Sequence, residues 1–154
     1  MINIDSYLND GANYKAQAIM CLLRHSASDV SFVTEEIERT AENDDIVKNL
    51  RFETQVGRYE NCREQGYVFS LLCNYNQVVH YCVFEHRNSD EMRVICFKSR
   101  KDKYNTVISF SADDIVQCRD WIVADMKKTT LEYLQNEYIP MHLQRQAKKS
   151  SQQG

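Results

Sequence analysis

The sequence predicts an α+β fold with N-terminal helices, a four- or five-stranded antiparallel meander, and a long C-terminal helix packed on the sheet. Three observations predict this class. Apolar residues recur at helical spacing near the N-terminus, β-rich runs with short connectors fill the middle, and an apolar helical stripe follows residue 111. At 154 residues the chain is long enough for one domain with a single core.

The N-terminal third is predicted to contain short helices. Apolar residues recur at helical spacing over 12–25, and the polar stretch 26–29 predicts a break. Residues 30–33 fit a strand or a helix, whereas 34–42 favours a helix. Two aspartates open the segment 44–50, and because acids favour helix N-termini, a further short helix is expected there.

The middle of the chain predicts sequential antiparallel hairpins, because β-branched and aromatic residues dominate and the connectors are short. In two of the runs both faces are apolar. Phe69 opposes Val68 on one run, and Tyr81 opposes Cys82 on the next. A sheet that is apolar on both sides needs cover on both sides, from helices or from a second copy of itself. The runs are 51–56, 67–75, 78–86, 91–98 and 104–110.

The C-terminal helix is predicted to begin with Ser111 as its N-cap and Asp114 at the third helical position. Pro140 is expected to end or kink the helix. The sequence thus predicts one domain over 1–142 and a polar, basic, flexible tail over 143–154. The predicted core stripe of the helix consists of Ile115, Cys118, Trp121, Ile122 and Met126.

Several enzyme classes are excluded by the four glycines of the chain. They stand too far apart to form GxGxxG, GxxxxGK[ST] or GxSxG, each of which needs closely spaced residues without Cβ. We therefore expect a non-enzymatic protein without a cofactor. No apolar run approaches the 18 residues of a membrane span, and the first residues lack the pattern of a signal peptide. A cytoplasmic protein away from membranes is expected, with its six cysteines as reduced thiols.

A zinc site is the first alternative to weigh. His80, Cys82 and His86 share one face of a predicted strand, and Cys73 could lie beside His80 if the turn register allowed it. These are zinc donor types, but a strand spaces alternate residues about 6.6 Å apart, which is long for one tetrahedral ion. Phe84 also stands between two of the donors. Buried cysteines beside partly exposed histidines are the favoured interpretation, so no metal is expected.

A small enzyme that uses Cys82 or the carboxylates is the third functional class. Thiol catalysis needs a neighbouring histidine and an orienting group. Cys82 with His80, or Cys21 with His25 four residues later on a helix, supplies the residue types alone. Cys21 is expected to face the core, which disfavours catalysis because a reactive thiol must be accessible.

The acidic residues of the N-terminal third predict a partner-binding surface. Helical spacing would place Glu35, Glu38 and Glu42 on one side, close to Asp44 and Asp45. Such runs are usually solvated faces. An acidic surface can also steer a basic partner or mimic nucleic-acid phosphates.

One basic cluster predicts an alternative nucleic-acid contact. Lys98, Arg100, Lys101 and Lys103 lie in a loop between strands, with Tyr104 beside them to stack on a base. An ordinary charged hairpin has the same composition and protects a sheet edge. The pI of 5.8 also argues against a dedicated nucleic-acid-binding protein.

The leading hypothesis is a non-enzymatic protein-binding or inhibitory module, with a homodimer that covers the second sheet face. By class analogy, such proteins include host-takeover inhibitors of phages or mobile elements and chaperone-like adaptors of secretion. The identity of the protein partner is left open. The alternative is a nucleic-acid-binding regulator that uses the 98–104 loop and the basic tail.

Overall fold

The computed structural model describes residues 14–60, 65–88, 90–100 and 103–153, and it has the predicted α+β architecture. Short helices come first. Five antiparallel strands follow in one sheet, and a long interrupted helix lies last. The N-terminal helices and the long helix pack on the same face of the sheet.

From residue 14 onward, the N-terminal layer consists of three helices and a 3-10 turn. They are α1 (Tyr14–Leu23), α2 (Ser26–Ser31), the 3-10 turn (Phe32–Glu36) and α3 (Asp44–Lys48). Of these, α1 and α3 correspond to two of the predicted helices. Their buried side chains, which include Ile19 in α1, face the sheet because the apolar positions recur once per helical turn.

Two expectations for this layer are wrong. Residues 26–29 are helical rather than a break, because Ser26 and Val30 are buried and packing outweighs the turn preference of serine and aspartate. The helix expected over 34–42 does not form. The 3-10 turn ends before Ile37, whose extended backbone directs its apolar side chain into the core.

The sheet is a meander in which each strand pairs with the next one along the chain. Alternation of β-branched and aromatic residues explains why these segments are strands. The last three strands cover their predicted runs and extend them by one or two residues at one or both ends. The first strand begins one residue after the start of its run, and the second ends two residues before the end of its run. The strands are β1 (Phe52–Glu60), β2 (Gln65–Cys73), β3 (Asn76–Asn88), β4 (Glu91–Arg100) and β5 (Lys103–Ser111).

The long helix has three parts: α4 (Ile115–Tyr133), a π-helical turn (Leu134–Tyr138) and α5 (Ile139–Gln153). The predicted N-cap is wrong, because the helix begins after Asp114. The hydroxyl of Ser111 instead accepts a hydrogen bond from the backbone N–H of Asp113, in the turn before the helix, at 3.4 Å.

Of the two outcomes expected at Pro140, an end or a kink, the end is wrong, because the helix continues past the proline. The π-helical turn directly precedes it, where the missing N–H and the ring of proline disturb the regular hydrogen-bond pattern. The tail, expected to be flexible, continues as helix to Gln153. Among the described residues, no helix combines the length and the apolar character needed to cross a membrane.

The core lies between the helices and one face of the sheet, here called the covered face. Odd-numbered residues of β2 and β3, such as Phe69 and Tyr81, meet the predicted stripe of α4 there. A polar network lies within this layer. Asp125 of α4 accepts a hydrogen bond from the Tyr81 hydroxyl at 2.6 Å and pairs with the Lys98 ammonium at 3.1 Å. Burial and this carboxylate raise the pKa of Tyr81.

Candidate functional site

The opposite side of the sheet, here called the open face, carries a second set of apolar side chains. They come from all five strands and surround a shallow depression of about 620 Å³. Period-two alternation places them there, because their strand neighbours point to the covered face. We call the following residues the open-face cluster: Tyr59, Val68, Cys82, Phe84, Phe97 and Val107.

Cross-strand pairing aligns the centre of this cluster. Val68 pairs with Cys82, Cys82 with Phe97, and Phe97 with Val107, so four strands contribute to one row. Directly opposed side chains in antiparallel strands contact one another across the ladder. The row is therefore a continuous apolar stripe across most of the sheet.

A glycine allows the neighbouring row to form. Gly66 stands between Tyr59 and Phe84 in the register. A Cβ at Gly66 would lie 2.3 Å from the carbonyl oxygen of Val83, so no other residue fits the close approach of β2 and β3. The Tyr59 ring lies 6.4 Å from the Phe84 ring and 5.5 Å from the Phe97 ring, which joins the two rows.

Burial within the cluster is uneven. Phe84 and Cys82 are only 5% and 6% exposed because neighbouring rings and side chains surround them. Val107, at the edge strand, is 71% exposed. No helix of the described residues packs on this face, since their contacts with the strands lie on the other side. With respect to the described residues, the apolar surface is thus partly self-covered and otherwise open.

A serine–histidine contact borders the cluster. The Ser70 hydroxyl lies 2.7 Å from Nδ1 of His80, and the next residues in that row are Gln55 and Ser99. Burial lowers the pKa of His80, so the ring is neutral at pH 7. Charged groups of this face, such as Arg93, stand toward the ends of the strands.

This contact resembles a nucleophile–base pair, but its surroundings do not favour catalysis. Neither Gln55 nor Ser99 is a carboxylate that could orient the imidazole. β2 and β3 are paired on both sides, so their N–H groups serve the sheet ladder rather than an oxyanion. Burial also raises the pKa of the Cys82 thiol to about 11, which keeps it protonated at neutral pH.

The candidate zinc donors are not brought together. His80, Cys82 and His86 follow one another along β3, and His86 is exposed near the strand end. Cys73 does not lie beside His80: it pairs with Asn76 and is buried on the covered face. Within the described ranges, no group of three metal-ligating side chains is close enough to hold an ion.

The expectation that Cys21 faces the core is wrong, because this thiol is exposed. α1 ends at Leu23, so Cys21 and His25 do not form a helical pair four residues apart. The His25 ring instead accepts a hydrogen bond from Arg24 at 3.2 Å. The structure provides no thiol–histidine contact here.

The five acidic residues of the predicted partner-binding surface are exposed, but they do not share one helix side. The extended backbone at Ile37 breaks the helical spacing on which that expectation depends. Two of the carboxylates make exposed ion pairs, with Arg39 at 2.9 Å and Lys48 at 3.6 Å. The residues are Glu35, Glu38, Glu42, Asp44 and Asp45.

The basic cluster is divided between environments. Lys98 and Arg100 point to the covered face, where each pairs with a carboxylate of the long helix. Lys101 and the side chains of Lys103 and Tyr104 lie outside the described residues. The two described cations are therefore already engaged within the fold.

Comparison with protein-family models, curated proteins and solved structures finds no match to this chain. The sequence pattern indicated the second apolar face but not its aromatic extension through Tyr59 and Phe97, nor the contact of Ser70 with His80. Period-two counting along β1 and β4 could have found the aromatic residues.

Proposed function

We propose that the protein is a non-enzymatic protein-binding module that forms a homodimer, in which the open faces of two copies pack together. The observation that carries this proposal is the open-face cluster, an apolar surface that reaches the 71% exposed Val107 at the edge strand. Contiguous exposed apolar surface is typical of interaction sites. Packing of two sheets through apolar faces is a common way to bury it.

A second copy fits this surface better than a charged partner. Among the described residues, the centre of the open face carries no ionised group, since His80 is neutral and its row neighbours Ser70 and Ser99 are uncharged. Two identical surfaces can meet through a two-fold axis only if they do not repel one another. The chain has a net charge of −3, so two copies repel one another overall. They can meet at the centre of the open face because the described side chains there are uncharged.

The dimer leaves the acidic N-terminal surface exposed on both copies. We propose this surface as the contact for a further protein with a basic binding region, in an adaptor or inhibitor role. Support comes from the exposure of Glu35, Glu38 and Glu42, none of which has an ion pair among the described residues.

A reducing compartment such as the cytoplasm suits the thiols. All five described cysteines are free, and two of them, Cys96 and Cys118, are buried in hydrogen-bond contact. That contact and burial raise the pKa of Cys96 well above its ordinary value. Protonated, buried thiols of this kind persist where cellular reductants prevent disulfide formation.

Val107→Glu tests the proposal, with Val116→Glu as a matched control. Both valines are exposed, but Val107 lies on the open face and Val116, 51% exposed, lies on the outer side of α4. We expect wild type and Val116→Glu to show twice the chain mass of 18.1 kDa in light scattering after size exclusion. Val107→Glu should elute as a folded monomer, because two buried carboxylates would face each other.

A monomeric wild-type protein would overturn the homodimer. So would a Val107→Glu variant that dimerises as tightly as the control. Circular dichroism of each variant separates loss of association from loss of fold, since the substituted side chains are exposed in the single chain.

A further inference from the structure

A second cavity, separate from the open face, lies where the β2–β3 turn meets the π-helical turn. It has a volume of about 600 Å³, within the range of small-molecule sites. Its walls include Asn76 from β3, Tyr138 from the π-helical turn, and His142 and Arg145 from α5. We call it the π-turn cleft.

Both walls contain unusual backbone. The β2–β3 turn has two successive non-glycine residues in the left-handed region, Asn74 with φ of 47° and Tyr75 with φ of 70°. The opposite wall is a π-helical turn. This conformation is rare in proteins overall, but where it occurs it is frequently at a functional site. Left-handed backbone is unfavourable for a bulky side chain.

The fold explains one of these two turn residues. The side chain of Asn74 accepts a hydrogen bond from the backbone of Arg51 at 2.9 Å and donates one to the Tyr138 hydroxyl at 2.5 Å. Tyr75 has no such role. Its side chain is 85% exposed, and glycine would adopt the same backbone at lower cost. Tyr75 is not part of the cleft wall, but it lies in the chain between Asn74 and Asn76, which are, so its exposed side chain is next to the cleft.

The charged side chains of α5 on the other wall are cations, whereas burial and the nearby Arg145 lower the pKa of His142. One stripe of side chains at helical spacing leads out of the cleft. It consists of Tyr138, His142, Arg145 and Lys149. α5 contains three basic residues and no acidic one. Within the described part of the chain, Arg145 takes part in no ion pair. The cleft carboxylate, Glu137, is neutralised by its contact with Arg100.

We propose that the π-turn cleft binds a nucleotide, with the Arg145 guanidinium on the phosphate and the exposed Tyr75 ring stacked on the base. Guanidinium groups match phosphate oxygens in a two-pronged geometry. Exposed aromatic rings stack on any base, and amides such as Asn76 can bond to its edge. A free mononucleotide and a nucleotide within a single strand present this same chemistry.

Titration separates the two sources. The probes are AMP, inorganic phosphate, and a fluorescein-labelled mixed-sequence single strand of about 15 nucleotides, close to the largest footprints of single-strand sites. AMP binding, or its competition with the strand, indicates a mononucleotide site. Binding of the strand alone indicates a strand that continues along the stripe toward Lys149.

Two variants test the assigned residues. Arg145→Gln and Tyr75→Gly should each weaken binding about tenfold, the loss expected from one phosphate contact or one stacked base. Tyr75→Gly should keep or raise the melting temperature, because glycine suits the left-handed turn, so lost binding cannot reflect misfolding. The control Arg87→Gln removes the same charge from an exposed site at the other end of β3.

Three results would overturn the proposal. The first is the absence of binding by AMP and by the single strand. The second is an equal loss of affinity in Arg87→Gln and Arg145→Gln, which would mean unspecific charge attraction. The third is inorganic phosphate binding as tightly as AMP, which would mean that the base is not recognised.

Discussion

The two faces of the sheet carry similar apolar side chains but differ in what they meet. On the covered face, Phe69 and Tyr81 are fully buried beneath the helices. On the open face, Phe84 is buried by neighbouring rings, whereas Val107 is largely exposed. Apolar content alone thus does not determine which face the helices cover.

Polar side chains explain which face of the sheet the helices cover. Lys98 and Tyr81 reach a carboxylate, Asp125, only on the side where α4 lies. On the open face, Ser70 and His80 satisfy one another without a partner from the helices. One face is completed by the chain itself, and the other can be completed by a second copy.

Asp125→Ala should have the largest effect, because it breaks the network of the covered face. It leaves the ammonium of Lys98, whose side chain is only 15% exposed, without its carboxylate. We expect the free energy of unfolding to fall by about 3 kcal/mol, measured by urea denaturation. Asp120→Ala on the same helix removes an exposed pair with Arg119 and should change it by less than about 1 kcal/mol.

The double variant Lys98→Met/Asp125→Ala sharpens this prediction. Removal of both charges should recover part of the stability lost in Asp125→Ala, because the unpaired buried ammonium is then gone. A double variant that is less stable than Asp125→Ala would contradict the assigned pairing.

Gly66→Ala should have the next largest effect and acts on the open face. The added Cβ would lie 2.6 Å from the Cβ of Phe84 and still closer to a backbone oxygen, so β2 and β3 must separate. We expect a loss of about 2 kcal/mol in the free energy of unfolding. Gly57→Ala, where no atom lies within 4 Å, is the control and should be neutral or slightly stabilising.

The smallest expected effect is a pH dependence centred on His80. Burial holds the pKa of this ring below its ordinary value of 6.5. Below pH 6.5 the unfolded chain binds a proton that the folded protein resists, so stability falls as the pH drops from 7 to 5. His80→Gln removes this contribution and should flatten the curve of unfolding free energy against pH. Equal slopes for the two proteins would mean that His80 is not desolvated.

The middle of the chain was predictable because its signal is local. Alternating β-branched and aromatic residues give each strand, and short connectors give sequential pairing. The sequence did not predict which residues of β2 and β3 pair with one another across the two strands. A bulge at Val78 shifts the register between Leu71 and Leu72, so His80 meets Ser70 where plain counting from the turn would place Val79.

The N-terminal helices were less predictable because tertiary burial decides them. Ser26 and Ile37 are both buried. Burial holds Ser26 in a helix and Ile37 in an extended backbone, in each case against the local tendency of the sequence. The π-helical turn before Pro140 forms because tertiary packing keeps the helix going past the proline. The general tendency of proline to break or kink a helix does not take such packing into account. The π-turn cleft was therefore beyond prediction from sequence, since both its walls are irregular.

The most direct test of the homodimer is a nuclear Overhauser spectrum of mixed copies, half with isotope-labelled valine methyl groups and half unlabelled. Isotope filtering then retains only contacts between different copies. We predict cross-peaks from the methyl groups of Val107 to aromatic ring protons of the open-face cluster of the other copy. A filtered spectrum without these peaks, or with peaks from Val116 instead, would contradict the assignment of the open face as the dimer interface.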